Sequence, residues 1–313
     1  MGRYLIGRLL QGLLLVFSVS VLVFAMIYMM PGDPIDQVTG WKVSQETKEQ
    51  MRKAYGFDQP LYRQYISWAA RILKDGDLGI SLRSKLPVWD ILKTRIPITL
   101  KFTGLTLLIE MLIAVPLGLV CAYKKDSLFD RLTVNLSLFF TAIPQFWIAV
   151  LLILLFGVHL RWFPFVGFST PKHLVLPVAA GVLASFATTI RLTKSEVLEV
   201  IREKYVTTAY AKGLGKSAVL IKHVLRNALI LITVIISLSI PWLISGAVIL
   251  EHIFGIPGMG GLMINSIVLQ DFAVVQACVL VIASLTVFFN IVCDILIGML
   301  DPRISVSLKG AER

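Results

Sequence analysis

The sequence predicts an all-α, polytopic membrane protein with six membrane-spanning helices. Hydrophobic residues make up 57% of the 313 residues and charged residues 16%, and the mean hydropathy is +0.81, which excludes a soluble domain. Apolar runs long enough to cross about 30 Å of hydrocarbon recur along the chain. Many of the Lys and Arg residues behind the net charge of +11 fall between those runs, as the positive-inside rule describes, so no nucleic-acid partner is expected.

The first predicted span, Leu9–Met30, follows a short basic N-terminus and ends at Pro31. It is long for a secretory signal and lacks a small-residue cleavage site, so we interpret it as a retained span. Pro116 and Gly118 are expected to bend the second span, and Pro144 is expected to kink the third. The further spans are Ile98–Tyr123, Leu132–Leu160, Leu174–Ile190, Ala228–Leu250 and Phe272–Leu300.

The links between the spans indicate the topology. Residues 31–97 hold eleven Lys/Arg and eight Asp/Glu, which predicts a solvated extracytoplasmic region, and a link this long is largely exempt from the positive-inside bias. Within it, Ser44–Tyr55 is predicted to form an amphipathic helix capped by Ser44. The short basic link Lys124–Arg131 is placed inside, whereas Glu251–Asp271 contains no Lys or Arg and is placed outside.

This topology divides the chain into four parts and places both termini in the cytoplasm. The parts are 1–30 (cytoplasmic N-terminus and first span), 31–97 (extracytoplasmic region), 98–300 (core with spans two to six) and 301–313 (cytoplasmic tail).

A polar interruption, residues 193–228, separates the fourth and fifth spans. The stretch from Arg191 to Arg226 carries eight Lys/Arg against three Glu, so it cannot lie in lipid. Its apolar spacing predicts one helix, ended by a turn at Gly213 and Gly215, and a second helix from Lys216. Charge alone fits equally well an ordinary solvated helical hairpin on the basic side of the membrane.

Two parts of this interruption resemble the cytoplasmic "EAA" loop of bacterial ABC-importer permeases. Thr207–Leu214 and His223–Ala228 are similar to the T-A-x-A-K-G-L and H-x-L-R-N-A halves in the peptide/nickel permease family. Arg226 stands where the wider importer pattern has Pro, which fits this branch, although the Pro usual soon after Asn227-Ala228 is absent. Three predicted external stretches also resemble the family, so the resemblance covers nearly the whole chain: Gly56–Tyr65, Asp77–Ser81 and Glu251–Gly260.

The resemblance implies a type I importer-like fold whose loop 193–228 forms a coupling helix in a groove of an ATP-hydrolysing subunit. It implies as partners a second, similar permease, two cytoplasmic ABC ATPase subunits and an extracytoplasmic substrate-binding protein, in a bacterial inner or plasma membrane. ATP and Mg²⁺ would be bound by the ATPases, with no cofactor on this chain. The coupling residues so implied are Thr207, Thr208, Ala209, Ala211, Lys212, Gly213, Leu214, Gly215, His223, Arg226 and Asn227.

The cargo implied by the resemblance is small peptides or nickel and its chelates. Peptides are favoured because the sequence has no ligand cluster for a bare metal. The three cysteines lie in predicted spans without metal-ligand spacing and are interpreted as packing residues. The scattered histidines are interpreted as polar surface residues rather than as a metal relay. These residues are Cys121, Cys278 and Cys293, and His159, His173, His223 and His252.

The sequence contains no G-x-x-x-x-G-K-[ST] phosphate loop and no hydrolytic Ser/His/Asp or His-E-x-x-His arrangement, so we predict a non-catalytic subunit. An autonomous channel or secondary transporter remains the alternative, since it would need no ATPase.

Glu110, near the middle of the second span, is the clearest ionisable group in a predicted span. It either faces the translocation path, where it would favour a cationic group of the cargo, or accepts hydrogen bonds at a helix interface. Gln145 and Asn290 are candidates for the path or for interhelical hydrogen bonds. Asp294 is expected near the cytoplasmic boundary.

Overall fold

The computed structural model describes residues 2–29, 44–54, 58–81, 83–215, 219 and 247–300. Helices dominate these ranges, and the all-α membrane fold is confirmed. The helices are α1 (Gly2–Met29), α2 (Gln45–Ala54), α3 (Leu61–Asp75), α4 (Val88–Tyr123), α5 (Leu128–Ala142), α6 (Gln145–Leu152, continued by a π-helix over Ile153–His159), α7 (Val175–Ile201, preceded by a 3₁₀ turn over Pro171–Leu174), α8 (Lys204–Ala211), α9 (Met259–Val268) and α10 (Phe272–Leu300).

Four stretches in the described ranges are long and apolar enough to cross a membrane, and α5 with α6 makes a fifth if the bent pair is one span. The remaining predicted span, Ala228–Leu250, lies outside the described residues except for 247–250, which are helical. The four straight stretches are Ile6–Met26, Val88–Tyr123, Pro171–Ile201 and Phe272–Leu296.

The first and last helices lie antiparallel against each other. A Cβ on Gly12 would lie 2.6 Å from Cγ1 of Val287, so the Val287 side chain packs directly on the α1 backbone there. Near the start of α1, Arg8 pairs with Asp294 of α10, with Nε 3.3 Å from Oδ2. The N-terminal end of α1 and the C-terminal end of α10 therefore lie at the same end of the bundle.

Two short helices occupy the predicted extracytoplasmic region. The amphipathic helix expected after Ser44 is present as α2, and the backbone N–H of Thr47 donates to Ser44 Oγ at 3.3 Å. Helix α3 was not predicted from the sequence. It ends at Gly76, which adopts a left-handed conformation (φ +65°) that favours glycine.

Helix α4 begins ten residues before the predicted start of the second span and runs through both Pro97 and Pro116. Its first turns are held by burial, because Val88 and Leu92 are fully buried against Met259 and Val274. Tertiary packing here outweighs the hydrogen bond that each proline removes from the helix.

Pro144 separates α5 from α6 at the predicted position. The angle between the two helices is 99°, however, which is far larger than the kink within one continuous span that the sequence predicts. Ile143 has extended backbone angles (φ −89°, ψ 129°), as expected for a residue before proline. A new helix then starts from Pro144, whose carbonyl accepts from the N–H groups of Trp147 and Ile148.

Helix α7 forms the centre of the fold and packs against α4, α5 and α6. It extends eleven residues beyond the predicted fourth span, because Thr193, Val197 and Val200 continue its buried face. Its closest approach to α4 depends on two glycines. A Cβ on Gly118 would lie 2.7 Å from Cβ of Thr193, and one on Gly181 would lie 2.7 Å from Cγ2 of Thr106.

Candidate functional site

The polar interruption begins as a continuation of α7 and then breaks. Helix α7 ends at Ile201, and α8 starts at Lys204, where the carbonyl of Glu203 accepts from the N–H of Val206. The single helix predicted across this stretch is therefore wrong. The N–H of Arg202 bonds the carbonyl of Glu199, three residues back, which tightens and ends the last turn of α7.

One face of α8 is anchored on two spans. Val206 is fully buried and Ala209 nearly so, and they belong to a cluster with Val197 and Val200 of α7 and Ala122 of α4. Burial of these apolar side chains holds α8 against the ends of both long helices. Helix α8 is therefore packed on the end of α7, in a cluster that also includes Ala122 at the end of α4.

The opposite face of α8 is open to solvent. Of the residues implied in coupling, Ala209 lies on the buried face, in the apolar cluster with α7. Gly213 has φ +82° and ends the helix in a left-handed turn. His223, Arg226 and Asn227 lie outside the described residues, as does most of the predicted second helix. The exposed members of the set are Thr207, Thr208, Ala211, Lys212, Gly213, Leu214 and Gly215.

A buried ion pair lies close to this anchorage. Lys194 Nζ lies 2.6 and 2.8 Å from the two carboxylate oxygens of Asp130, and Asp126 donates its backbone N–H to the same carboxylate at 2.9 Å. The pair fastens the start of α5 to α7, one turn before the cluster under α8. Sequence reasoning did not find it, although both residues lie in stretches predicted to be on the cytoplasmic side.

Glu110 is fully buried between α4 and α7. Its carboxylate accepts hydrogen bonds from Ser185 Oγ at 2.7 Å and from Thr189 Oγ1 at 2.6 Å, both on α7. Each carboxylate oxygen thus has a partner on the neighbouring helix, which is the arrangement of an interface residue.

Gln145 and Asn290 lie in different parts of the bundle. Gln145 lines a small cavity with Thr106, one turn before Glu110, and with Gly181. Asn290 is partly buried on α10, which packs on α1. The structure therefore brings Gln145, but not Asn290, to the part of the α4–α7 interface that holds Glu110.

A second buried carboxylate, that of Glu251, contacts the first half of α4 and organises a glycine-rich turn. Glu251 accepts from Thr99 Oγ1 at 2.6 Å and from the N–H groups of Gly260 and Gly261 at 2.7 and 3.3 Å. A Cβ on Gly258 would lie 2.3 Å from the Glu251 carboxyl, so a larger residue there would push this carboxyl away from its hydrogen-bond partners. The stretch predicted as an external loop is thus packed around a buried acid and continues into α9.

Two of the regions predicted to be external, Asp77–Ser81 and Glu251–Asp271, are also held in place by hydrogen bonds. Ser81 Oγ donates to Asp271 Oδ2 at 2.5 Å, and Arg95 donates to the carbonyl of Pro257 at 3.1 Å. These contacts fasten the chain before α4 and the first turns of α4 to the turn between 251 and α10.

Long apolar helices around a central span, and a short surface helix packed at their ends, define a multi-pass helical membrane protein. Comparison with known proteins agrees: residues 114–306 match the model of the family "binding-protein-dependent transport system inner membrane component", and residues 1–103 match the N-terminal model of the same systems. The chain belongs to this family of binding-protein-dependent transport permeases.

Similar proteins cover nearly the whole chain. It is 35% identical to the oligopeptide transport system permease protein AppB of Bacillus subtilis, over 97% of this chain and 99% of that protein. It is 34% identical to the glutathione transport system permease protein GsiC of Escherichia coli, over 97% and 99%. It is 32% identical to the dipeptide transport system permease protein DppB of Escherichia coli K12, over 92% and 94%.

A solved structure supports the fold. The inward-facing MetNI methionine ABC transporter matches with a TM-score of 0.58 at 17% identity, over 67% of this chain and 96% of the matched chain. The type I importer fold that the resemblance implies is confirmed.

Proposed function

We propose that this permease forms half of the translocation path of an ATP-driven importer for small peptides. The cargo is inferred from relatives named for oligopeptides, dipeptides and glutathione, each at least 32% identical over more than nine-tenths of this chain. The other half of the path would come from a second, similar permease.

The observation that carries the mechanism is the anchorage of α8. Its buried face, through Val206 and Ala209, is packed on α4 and α7, while its outer face is free to meet a partner. Closure of two ATPase subunits on ATP would push this outer face, and the helix would act as a lever on the two spans. The spans would then tip from an inward-open to an outward-open arrangement.

The remaining partners follow from this assignment. ATP and Mg²⁺ would be bound by the ATPase subunits, and this chain would be a non-catalytic subunit without a cofactor. A binding protein would deliver cargo at the end of the bundle that holds Glu251 and Asp271. Both termini would then lie in the cytoplasm of a bacterial cell. We propose that Gln145 and Asn290 line or flank the path, and that Glu110 holds its walls together.

The cargo is tested by reconstituting the chain with its co-purifying subunits in liposomes and measuring ATP-dependent uptake of labelled di- and tripeptides, glutathione and Ni²⁺. We expect peptide uptake that unlabelled peptides compete with and Ni²⁺ does not. ATP-dependent uptake of Ni²⁺ alone would refute the peptide assignment. Uptake by this chain without any ATPase would instead support the channel or secondary transporter alternative.

A further inference from the structure

Helix α3 lies against the side of the first membrane span. The Tyr65 ring meets Phe17 and Phe24 edge to face, with ring centroids 6.4 and 5.4 Å apart, and Trp68 lies 5.8 Å from Phe24. The hydroxyl oxygens of Tyr65 and Ser20 are 2.8 Å apart and share a hydrogen bond. This helix belongs to a region that the sequence predicts to be solvated.

These contacts place α3 beside the apolar part of α1. Phe17, Ser20 and Phe24 all lie within Ile6–Met26, a stretch long and apolar enough to cross a membrane. Tyr65 and Trp68 therefore contact the membrane-spanning stretch itself. Helices that lie in the plane of a membrane bury their apolar face about 5–10 Å into the boundary between headgroups and acyl chains.

The apolar face of α3 is wider than the strip that α1 covers. At 100° per residue, Tyr65, Trp68 and Ile72 form the strip against α1. The adjoining strip, turned about 100° away, is formed by Tyr62, Ile66 and Leu73, whose side chains are 59%, 59% and 85% exposed. Cationic residues lie on the opposite side of the helix: Arg63, Arg71 and Lys74.

The exposed strip continues the surface of α1. Phe17, which touches Tyr65, is itself 56% exposed on a helix long and apolar enough to span the membrane. Tyr62, Ile66 and Leu73 thus lie beside a surface that faces acyl chains. An amphipathic helix with aromatic residues on its apolar face and cations on its polar face has the composition of an interfacial helix.

We propose that α3 is a lipid-binding element, half embedded in the outer leaflet beside the first span, with Ile66 and Leu73 among the acyl chains and Arg63, Arg71 and Lys74 at the phosphate groups. The occupant of the exposed strip is therefore bilayer lipid rather than water or a protein partner. This inference does not depend on the cargo.

The test uses the full chain with its co-purifying subunits in nanodiscs of phosphatidylcholine and phosphatidylglycerol. A nitroxide is attached to Ile66→Cys and Leu73→Cys, and to Arg71→Cys as the matched control on the polar face. The three native cysteines are buried. Labelling of the parent chain measures the background signal from them. Power-saturation measurements then compare collisions with oxygen, which concentrates in lipid, and with a water-soluble nickel chelate.

We expect the ratio of oxygen to nickel collisions to be severalfold higher at 66 and 73 than at 71. High nickel accessibility at all three positions would place α3 in water and overturn the proposal. Low accessibility to both reagents at 66 and 73 would show that another protein covers the strip, which also overturns it. All three side chains are exposed, so the substitutions should leave the fold intact, and retained transport activity checks this.

Discussion

Lys194 and Asp130 form an ion pair in which the lysine ammonium group donates to both carboxylate oxygens, at 2.6 and 2.8 Å. The Asp130 side chain is 3% exposed and that of Lys194 is 22% exposed. The pair joins the start of α5 to α7 one turn before the apolar cluster under α8. The part of α7 that supports the surface helix is therefore fixed by charge as well as by apolar packing.

Removing the lysine should destabilise the fold, since it leaves a buried carboxylate without its counter-ion. We expect Lys194→Met to lower the free energy of unfolding by about 3 kcal/mol, measured by thermal unfolding in detergent. The matched control is Lys93→Met, whose partner Asp90 forms an exposed pair at 2.6 Å and which should cost less than about 1 kcal/mol. Equal losses in the two variants would contradict the structural role of the Asp130 pair.

The close approach of α4 and α7 at Gly118 should not tolerate a methyl group. Because a Cβ there would lie 2.7 Å from Thr193 and 2.8 Å from the carbonyl of Ile190, Gly118→Ala should cost about 1–3 kcal/mol through overpacking. On the same helix, a Cβ on Gly104 would have no atom of the described residues within 4 Å. Gly104→Ala should therefore be neutral or stabilise by up to about 1 kcal/mol, from helix propensity. A stabilising Gly118→Ala would show that the two helices are further apart.

Replacing the buried Glu251 by glutamine should loosen the glycine-rich turn. An amide has one acceptor oxygen, so it cannot accept from Thr99, Gly260 and Gly261 as the carboxylate does, and we expect a loss of about 1–3 kcal/mol. Hydrogen exchange at the N–H groups of Gly260 and Gly261 should become faster. The exposed Glu199→Gln serves as the control, and unchanged exchange in Glu251→Gln would argue against the carboxylate as the organiser of this turn.

The Glu110→Gln variant distinguishes a carboxylate that faces the translocation path from one that accepts hydrogen bonds at the α4–α7 interface. Because Glu110 is fully buried and both its oxygens have partners on α7, we expect uptake to fall by a similar factor for cationic, neutral and anionic peptides. The measurement is the uptake rate for a matched series of tripeptides. A loss confined to cationic peptides would place the carboxylate in the path instead.

Hydropathy and residue spacing predict helix boundaries well where the apolar pattern and the capping residue both mark the boundary in the sequence. The predicted start of the sixth span, Phe272, is the start of α10, and the cap at Ser44 begins α2 as expected. The predictions fail where packing decides. The extension of α4 back to Val88 depends on packing against Met259 and Val274, far along the chain, which no local pattern reveals.

For the region around α8, the sequence predicts the helices and the turn but not the contacts between side chains. The Gly213 turn follows from the sequence because a glycine after a helical stretch favours a left-handed conformation. The break before Lys204 has no glycine or proline to mark it. The pairing of Asp130 with Lys194, and of Thr99 with Glu251, joins residues 64 and 152 positions apart, so only the folded structure shows which acid meets which partner.

The most direct test of the central claim, that ATP hydrolysis by partner subunits drives import through α8, is tripeptide accumulation in proteoliposomes for the parent chain and for Thr208→Trp. The Thr208 side chain lies on the exposed face of α8, so the bulky residue should leave thermal stability unchanged while it obstructs the partner's contact. We predict that accumulation requires ATP in the parent and falls at least tenfold in Thr208→Trp, whereas Lys172→Trp, an exposed control in the link between α6 and α7, transports normally. Accumulation without ATP, or an unaffected Thr208→Trp, would contradict the account.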